Sequence, residues 1–312
     1  MYNIKKGDLM ESFFNFLNVF FTAKDEVLKD ITKEDDCFYI EYINNSLIRA
    51  LNTYIPNSFI NNLPLIPETV ISKIKKHIIS HNKYVELGDI IETFISYVEP
   101  INLINLLGNI DSLQITYDKK IDHKSLGYYS LKTNTIHIFN NKYPTLSHEF
   151  LHAASSQIIN GIHLCGFSIG NEHGIYFEGL NEGFTELFNH RIFKEKIISY
   201  KTNVLICRCL ELMFDNPKDI ETAYFNNDFD FIYETFLQYG TKEEFAYLCK
   251  RLDYFSKIDH YIDEAKVVLD FLYDIISRTK DNQKLEKFKQ ITEEITPEPL
   301  KQKIKKIIKK NM

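Results

Sequence analysis

The chain has 312 residues, 44% of them hydrophobic, including 24 Phe and 19 Tyr. That is enough apolar material for one large or two modest folded bodies, and it excludes general disorder. Only 11 Gly and 8 Pro are present, too few for the tight turns of a sheet-rich sandwich or barrel. The net charge of −6 gives no basic surface for nucleic acid, so no such partner is expected.

The first hundred residues read mostly as helices. Residues 8–24 carry Leu9, Phe13, Leu17, Phe20 and Phe21 at helical spacing, and Pro67 opens a second such segment through His81. A third runs over 87–107 and is interrupted at Pro100. The texture then changes. Residues 113–117 alternate with period two, and 127–131 and 135–139 follow as a hairpin around the polar turn 132–134. From Val204 onward the helical spacing returns. The last twelve residues hold six lysines and no acid, and Leu300 just before them joins Ile304, Ile307 and Ile308 in an apolar stripe. A basic amphipathic helix of this kind suits contact with an acidic membrane, but the expected use is a solvated face on a terminal helix.

The five cysteines (Cys37, Cys165, Cys207, Cys209 and Cys249) form no CxxC pair, so neither a four-cysteine zinc site nor a disulfide framework is expected. The apolar stretch near the start is broken by Glu11, Asn15 and Asn18, and no run is long enough to span a bilayer. A cytoplasmic, reducing setting is the expectation.

One segment stands apart: Thr145-Leu146-Ser147-His148-Glu149-Phe150-Leu151-His152. On a helix, His148 and His152 lie one turn apart on one face, where two imidazoles can bind a single zinc ion. Glu149 beside them can act as base toward a water on that ion. With 10 His and 43 acids in the chain, chance yields on the order of a few hundredths of such a motif. His77 and His81 are also four apart, but Ile78 stands where the glutamate would be, so that pair reads as structural. Pro144 and Gly161 mark the expected start and stop of the motif helix.

A catalytic zinc takes three protein ligands and leaves a fourth place open. A third histidine fails, because Ser155 and Ile158 stand where the HExxHxxGxxH pattern needs Gly and His. Cys165 is isolated and reads as a small buried thiol. A glutamate from a later helix remains: Glu178, Glu182 and Glu186 are spaced by four on one face. Three stacked carboxylates repel one another unless a cation, or histidines bound to one, offsets the repulsion.

His148-Glu149-x-x-His152 followed by Asn181-Glu182-Gly183-Phe184-Thr185-Glu186 resembles the gluzincins, the glutamate-ligand zinc metallopeptidases typified by thermolysin. The resemblance covers roughly residues 110–191. It implies Glu182 as third zinc ligand and Glu186 as the acid that orients His148 through its second ring nitrogen. It also likens the hairpin ending in 135–139 to the edge strand that holds extended peptide beside the metal. Six of the eleven glycines fall in residues 161–183, between the two motifs, which reads as a loop walling the active site. His163, His173 and Tyr176 in that region are candidate substrate or oxyanion contacts.

The expected fold is α+β and mainly α, with a zincin-like core at 110–200 between helical regions at 1–109 and 201–312. The expected activity is hydrolysis of peptide bonds in a peptide or protein substrate, with one zinc per chain. Two alternatives are a non-catalytic scaffold whose zinc has a fourth protein ligand, Glu178 or Cys165, and a zinc amidase acting on a non-peptide amide.

Overall fold

The computed structural model describes residues 85–118, 126–139, 143–159, 162–171, 174–257 and 262–295. The helices expected at 8–24 and 67–81, the His77–His81 pair, the basic segment after Leu300 and His173 lie outside these residues. The rest follows the mainly helical α+β class. Helix α1 (Val85–Tyr97) ends before Pro100, which opens a 3-10 turn (Pro100–Leu103) leading into α2 (Ile104–Asn109). The break falls where proline removes a backbone donor and disfavours a helical residue before it.

The expected hairpin is present, with a strand ahead of it. Strands β1 (Gln114–Tyr117), β2 (Gly127–Ser130) and β3 (Thr135–Ile138) form a sheet in the order β1-β3-β2, with β1 parallel to β3 and β2 antiparallel to it. Period-two alternation turns Ile115, Ile136 and Ile138 into the core, while His137 stacks on Tyr128 on the opposite face. Strand β3 is therefore central, flanked on both sides. Among the described residues β1 and β2 are the two edges of this sheet, so within the hairpin the edge falls on β2 and 135–138 is the central strand.

Helix α3 (Tyr143–Ala154) carries the HExxH motif and packs on β2 and β3. It stops seven residues short of Gly161, because side chains take over its last carbonyls. Ser156 Oγ donates to His152 O (2.6 Å), Ser155 Oγ to Leu151 O (2.9 Å), and Asn109 Nδ2 to Ala153 O (2.9 Å). The chain then enters a four-stranded antiparallel meander: β4 (Ser156–Ile159), β5 (Ile162–Cys165), β6 (Ser168–Asn171) and β7 (Gly174–Tyr176). The stretch expected to be a glycine-rich loop is thus mostly sheet, with Gly170 in β6 and Gly174 at the start of β7. Gly166, at φ 53°, makes the two-residue turn from β5 to β6. A methyl group there would run into Asn181 and Tyr224.

Helix α4 (Glu178–Phe193) is the axis of the molecule, buried on nearly all sides. Helices α5 (Lys201–Leu210) and α8 (Lys242–Lys257) lie against it, with α6 (Pro217–Phe225) and α7 (Phe229–Leu237) between them in sequence. The approach of α8 is so close that a Cβ on Gly179 would stand 1.9 Å from Leu252 O. Asn203 on α5 ties the three helices together, donating to Gly179 O and Leu252 O at 2.9 Å each. Helices α9 (Ile262–Ser277) and α10 (Asn282–Ile295) complete the described chain. One apolar core runs from Leu87 to Phe288, and its centre is aromatic: Phe94 meets Phe150 edge-on at 5.4 Å and Phe167 meets Phe184 at 5.3 Å. Those contacts fix α3 and α4 on either side of the motif residues. Among the described residues, no helix is long and apolar enough to cross a membrane.

Candidate metal centre

Helices α3 and α4 lie side by side, and Ser147 Oγ donates to Asn189 Oδ1 across them at 2.7 Å in the buried seam. One turn further along, the motif residues face each other. His148 Nε2 and His152 Nε2 are 3.2 Å apart. Glu182 turns one carboxylate oxygen to each ring: Oε2 lies 3.1 Å from His148 Nε2 and Oε1 lies 3.3 Å from His152 Nε2. Ligand atoms held at about 2.0–2.1 Å from one tetrahedral zinc ion stand about 3.3 Å apart. The separation of the two Nε2 atoms has the length of one edge of a zinc coordination tetrahedron, and Glu182 meets the two rings with different carboxylate oxygens; two imidazoles with one carboxylate form a donor set suited to that ion. Among the described residues this is the only group of three potential ligands gathered in this way.

The surroundings orient each donor. His148 Nδ1 lies 2.9 Å from Glu186 Oε2, which fixes the proton on Nδ1 and turns Nε2 toward the shared centre. The second oxygen of Glu186 accepts from the backbone N–H of Ile198 (2.9 Å) and Ser199 (3.3 Å). Behind His152, Cys165 Sγ lies 3.4 Å from Nδ1 and donates to His152 O at 3.6 Å. The thiol thus sits on the side of the ring facing away from the ligand centre. Asn181 accepts from Phe167 N (3.1 Å) through its oxygen, and its amide nitrogen is 3.4 Å from the same Nδ1.

Burial is graded. The side chains of His148, His152 and Glu182 retain 9%, 8% and 14% exposure, whereas Glu186 retains 2%. The three ligand side chains thus keep a small contact with solvent while the orienting acid stays dry, where its bonds are least screened. Electrostatics follows. Burial disfavours a charged His148, yet its bonds to Glu182 and Glu186 prevail and raise it to about 10. His152 is likewise pushed up against burial, by the charge of Glu182 and by Cys165. Glu182 is held well below the usual carboxylate range despite its burial, chiefly by the charge of His152, and Glu186 is lowered by His148.

Glu149 projects beside this centre. Burial raises its carboxyl, opposed by His148 and His152, supported by Glu182, and moderated by a hydrogen bond from the backbone N–H of Tyr129 on edge strand β2. A base raised in this way accepts a proton more readily near neutral pH. Glu178 lies one turn before Glu182, half-buried and also raised by burial and by Glu182, but it is not among the gathered ligand atoms.

The remaining candidates separate. His163 sits on β5 on the same strand face as Cys165, two residues away and without a bond to the three gathered side chains. Tyr176 ends β7 with its ring buried, and burial raises its phenol. One residue close to the centre lacked any pattern in the sequence: the ring of Tyr200 stacks over His148, centroids 6.0 Å apart and planes 18° off parallel.

Comparison with known proteins finds no match to a family model, to a curated protein or to a solved structure.

Proposed function

We propose that the chain is a zinc metallopeptidase of the gluzincin type. The observation that supports this reading best is the convergence of His148 Nε2, His152 Nε2 and the Glu182 carboxylate at separations of 3.1–3.3 Å, with Glu149 beside them and three protein donors in the group. Three protein ligands with a fourth place left over are the arrangement of a catalytic site; a structural site closes with a fourth protein ligand. The two residues that could close it do not: the Cys165 thiol lies against Nδ1 of His152, and Glu178 stands outside the group.

A zinc ion held there would acidify a water and polarise the carbonyl of the bond to be cleaved. The chain's own residues supply the rest. Glu149 takes the proton from the attacking water and hands it to the leaving amine nitrogen, so the carboxyl ends the cycle ionised as it began. The Tyr129 N–H keeps that carboxylate aimed, and Glu186 keeps His148 in the tautomer that presents Nε2. Strand β2 lies at the sheet edge beside α3, where an extended peptide can add its backbone as a further strand.

The test is cleavage of a mixed peptide library by zinc-loaded protein, wild type beside Glu149→Gln. The variant should hold one zinc with near-native affinity and lose at least about 100-fold in cleavage rate, the contribution of a positioned general base. Equal cleavage by both proteins would refute the mechanism. Cleavage of non-peptide amides in place of peptides would keep the centre and change the substrate class.

A further inference from the structure

We propose that Cys165 is the positioning residue of His152: its sulfur accepts the proton on Nδ1 and so leaves Nε2 to the metal. The inference rests on the zinc reading above and is independent of the substrate. An imidazole that gives one nitrogen to a metal carries its proton on the other, and the partner of that second nitrogen sets the tautomer and direction of the ring. Glu186 fills that place for His148. For His152 it falls to a thiol, and the atoms around Nδ1 decide why.

Among the described residues, two side-chain atoms lie at His152 Nδ1: Cys165 Sγ and Asn181 Nδ2, both at 3.4 Å. The amide of Asn181 does not serve. Its oxygen accepts from Phe167 N at 3.1 Å, and a backbone N–H bonds an amide at its oxygen, so the NH2 group is left facing the ring. That group donates and does not accept; beside a protonated Nδ1 it is a contact and not a bond. Sulfur remains as the acceptor. The proton of the thiol has a place of its own, on His152 O at 3.6 Å. One neutral thiol thus takes a proton from the ring and gives one to the carbonyl of the same residue, and every donor has an acceptor.

The fold holds the sulfur in that position. Strand register sets Cys165 opposite Ser156, just after the end of α3. The two residues that follow it are pinned. Gly166 N donates to Ser155 O at 3.3 Å, and Asn227 Nδ2 donates to Gly166 O at 2.9 Å and to Ser155 O at 2.7 Å. Phe167 N is the donor that fixes Asn181. The left-handed Gly166 lets this turn press on Asn181 and Tyr224, where a Cβ would stand 2.2 Å from an atom of each. The same turn therefore turns the amide of Asn181 away from service and sets the sulfur in its stead. The two ligand rings are oriented unequally, His148 by a charged carboxylate and His152 by a weak acceptor.

The test uses the full chain loaded with zinc. Chelator competition reads zinc affinity, and magnetic resonance on protein labelled with nitrogen-15 histidine reads the exchange of each ligand ring's Nδ1 proton with water. In wild type both protons should be protected. Cys165→Ala should bind zinc about 10-fold more weakly and expose the His152 proton, with the His148 proton, held by Glu186, unchanged. Cys165→Ser, whose hydroxyl also donates and accepts, should recover most of both losses. Native zinc affinity and a protected His152 proton in Cys165→Ala would overturn the inference. Equal losses in the serine and alanine variants, or exposure of both ring protons together, would also overturn it, because either marks a packing role. A wild type that binds no zinc would sink the zinc reading itself, a failure distinct from all of these.

Discussion

Replacing Glu186 by alanine removes three acceptor bonds at once: Nδ1 of His148 at 2.9 Å, Ile198 N at 2.9 Å and Ser199 N at 3.3 Å. Two separable losses follow. Without an acceptor on Nδ1, the His148 ring is free to rotate and to change tautomer, and loss of such an outer partner costs about 10–100-fold in metal affinity. That corresponds to about 1.4–2.7 kcal/mol. The second loss is in the fold. Three donors in a nearly dry seam lose their partner, at about 1 kcal/mol or more each, so unfolding free energy should fall by about 3–5 kcal/mol. Competition against a chromogenic chelator reads the first quantity and urea unfolding the second. Glu186→Gln should lie between wild type and alanine in both, because its amide oxygen still accepts from one side. Glu182→Ala should be worse than either for zinc, since it deletes a ligand, and milder for stability. A Glu186→Ala protein that binds zinc within about twofold of wild type would show that the acid does not orient the imidazole, and the account of the centre would be wrong at its second layer.

Two further outcomes test the frame around the site. Asp253 on α8 accepts from Phe177 N (3.2 Å) and Gly179 N (2.7 Å), capping the helix that carries Glu182 from 76 residues away. Burial raises its carboxyl to about 7 against these bonds. A raised acid binds its proton more tightly folded than unfolded, so stability contributed by Asp253 is greatest near pH 4 and declines as pH rises toward 7. Asp253→Asn should flatten that decline, by about 2–4 kcal/mol between pH 4.5 and 7.5 in urea unfolding; an unchanged slope would contradict it. Gly179→Ala places a methyl group against Leu252 O, so α8 must shift from α4. It should lower stability by about 3 kcal/mol and weaken zinc binding through movement of Glu182, measured by thermal unfolding and chelator competition.

The parts of the centre that sequence spacing reveals are those set by local periodicity. His148 and His152 converge because they are four apart on α3, and Glu182 and Glu186 share a face for the same reason; neither fact needs the rest of the fold. The pairing of the two helices is not local, yet the stacked carboxylates of α4 already call for a cation opposite them. What stays hidden depends on distant partners. The strands β4–β7 are three or four residues long, and of the glycines that read as a loop Gly166 makes a turn while Gly170 and Gly174 lie within strands. The early end of α3 is made by Ser155, Ser156 and Asn109, the last of these 44 residues from the carbonyl it caps. Cys165 reaches His152 through the β4–β5 pairing, which sets it opposite Ser156 just after α3. Tyr200 has no neighbouring pattern at all, and it is brought to His148 by backbone bonds to a glutamate whose side chain also holds the imidazole.

The central claim is that His148, His152 and Glu182 hold one zinc ion with an open place. X-ray absorption at the zinc edge on the loaded protein tests it most directly. The account predicts one zinc per chain in a shell of two imidazole nitrogens and oxygen donors at about 2.0–2.2 Å, with no sulfur. A sulfur scatterer at about 2.3 Å would put Cys165 on the metal and make the site a closed structural one. Failure to retain zinc, or a shell lacking imidazole, would remove the centre altogether.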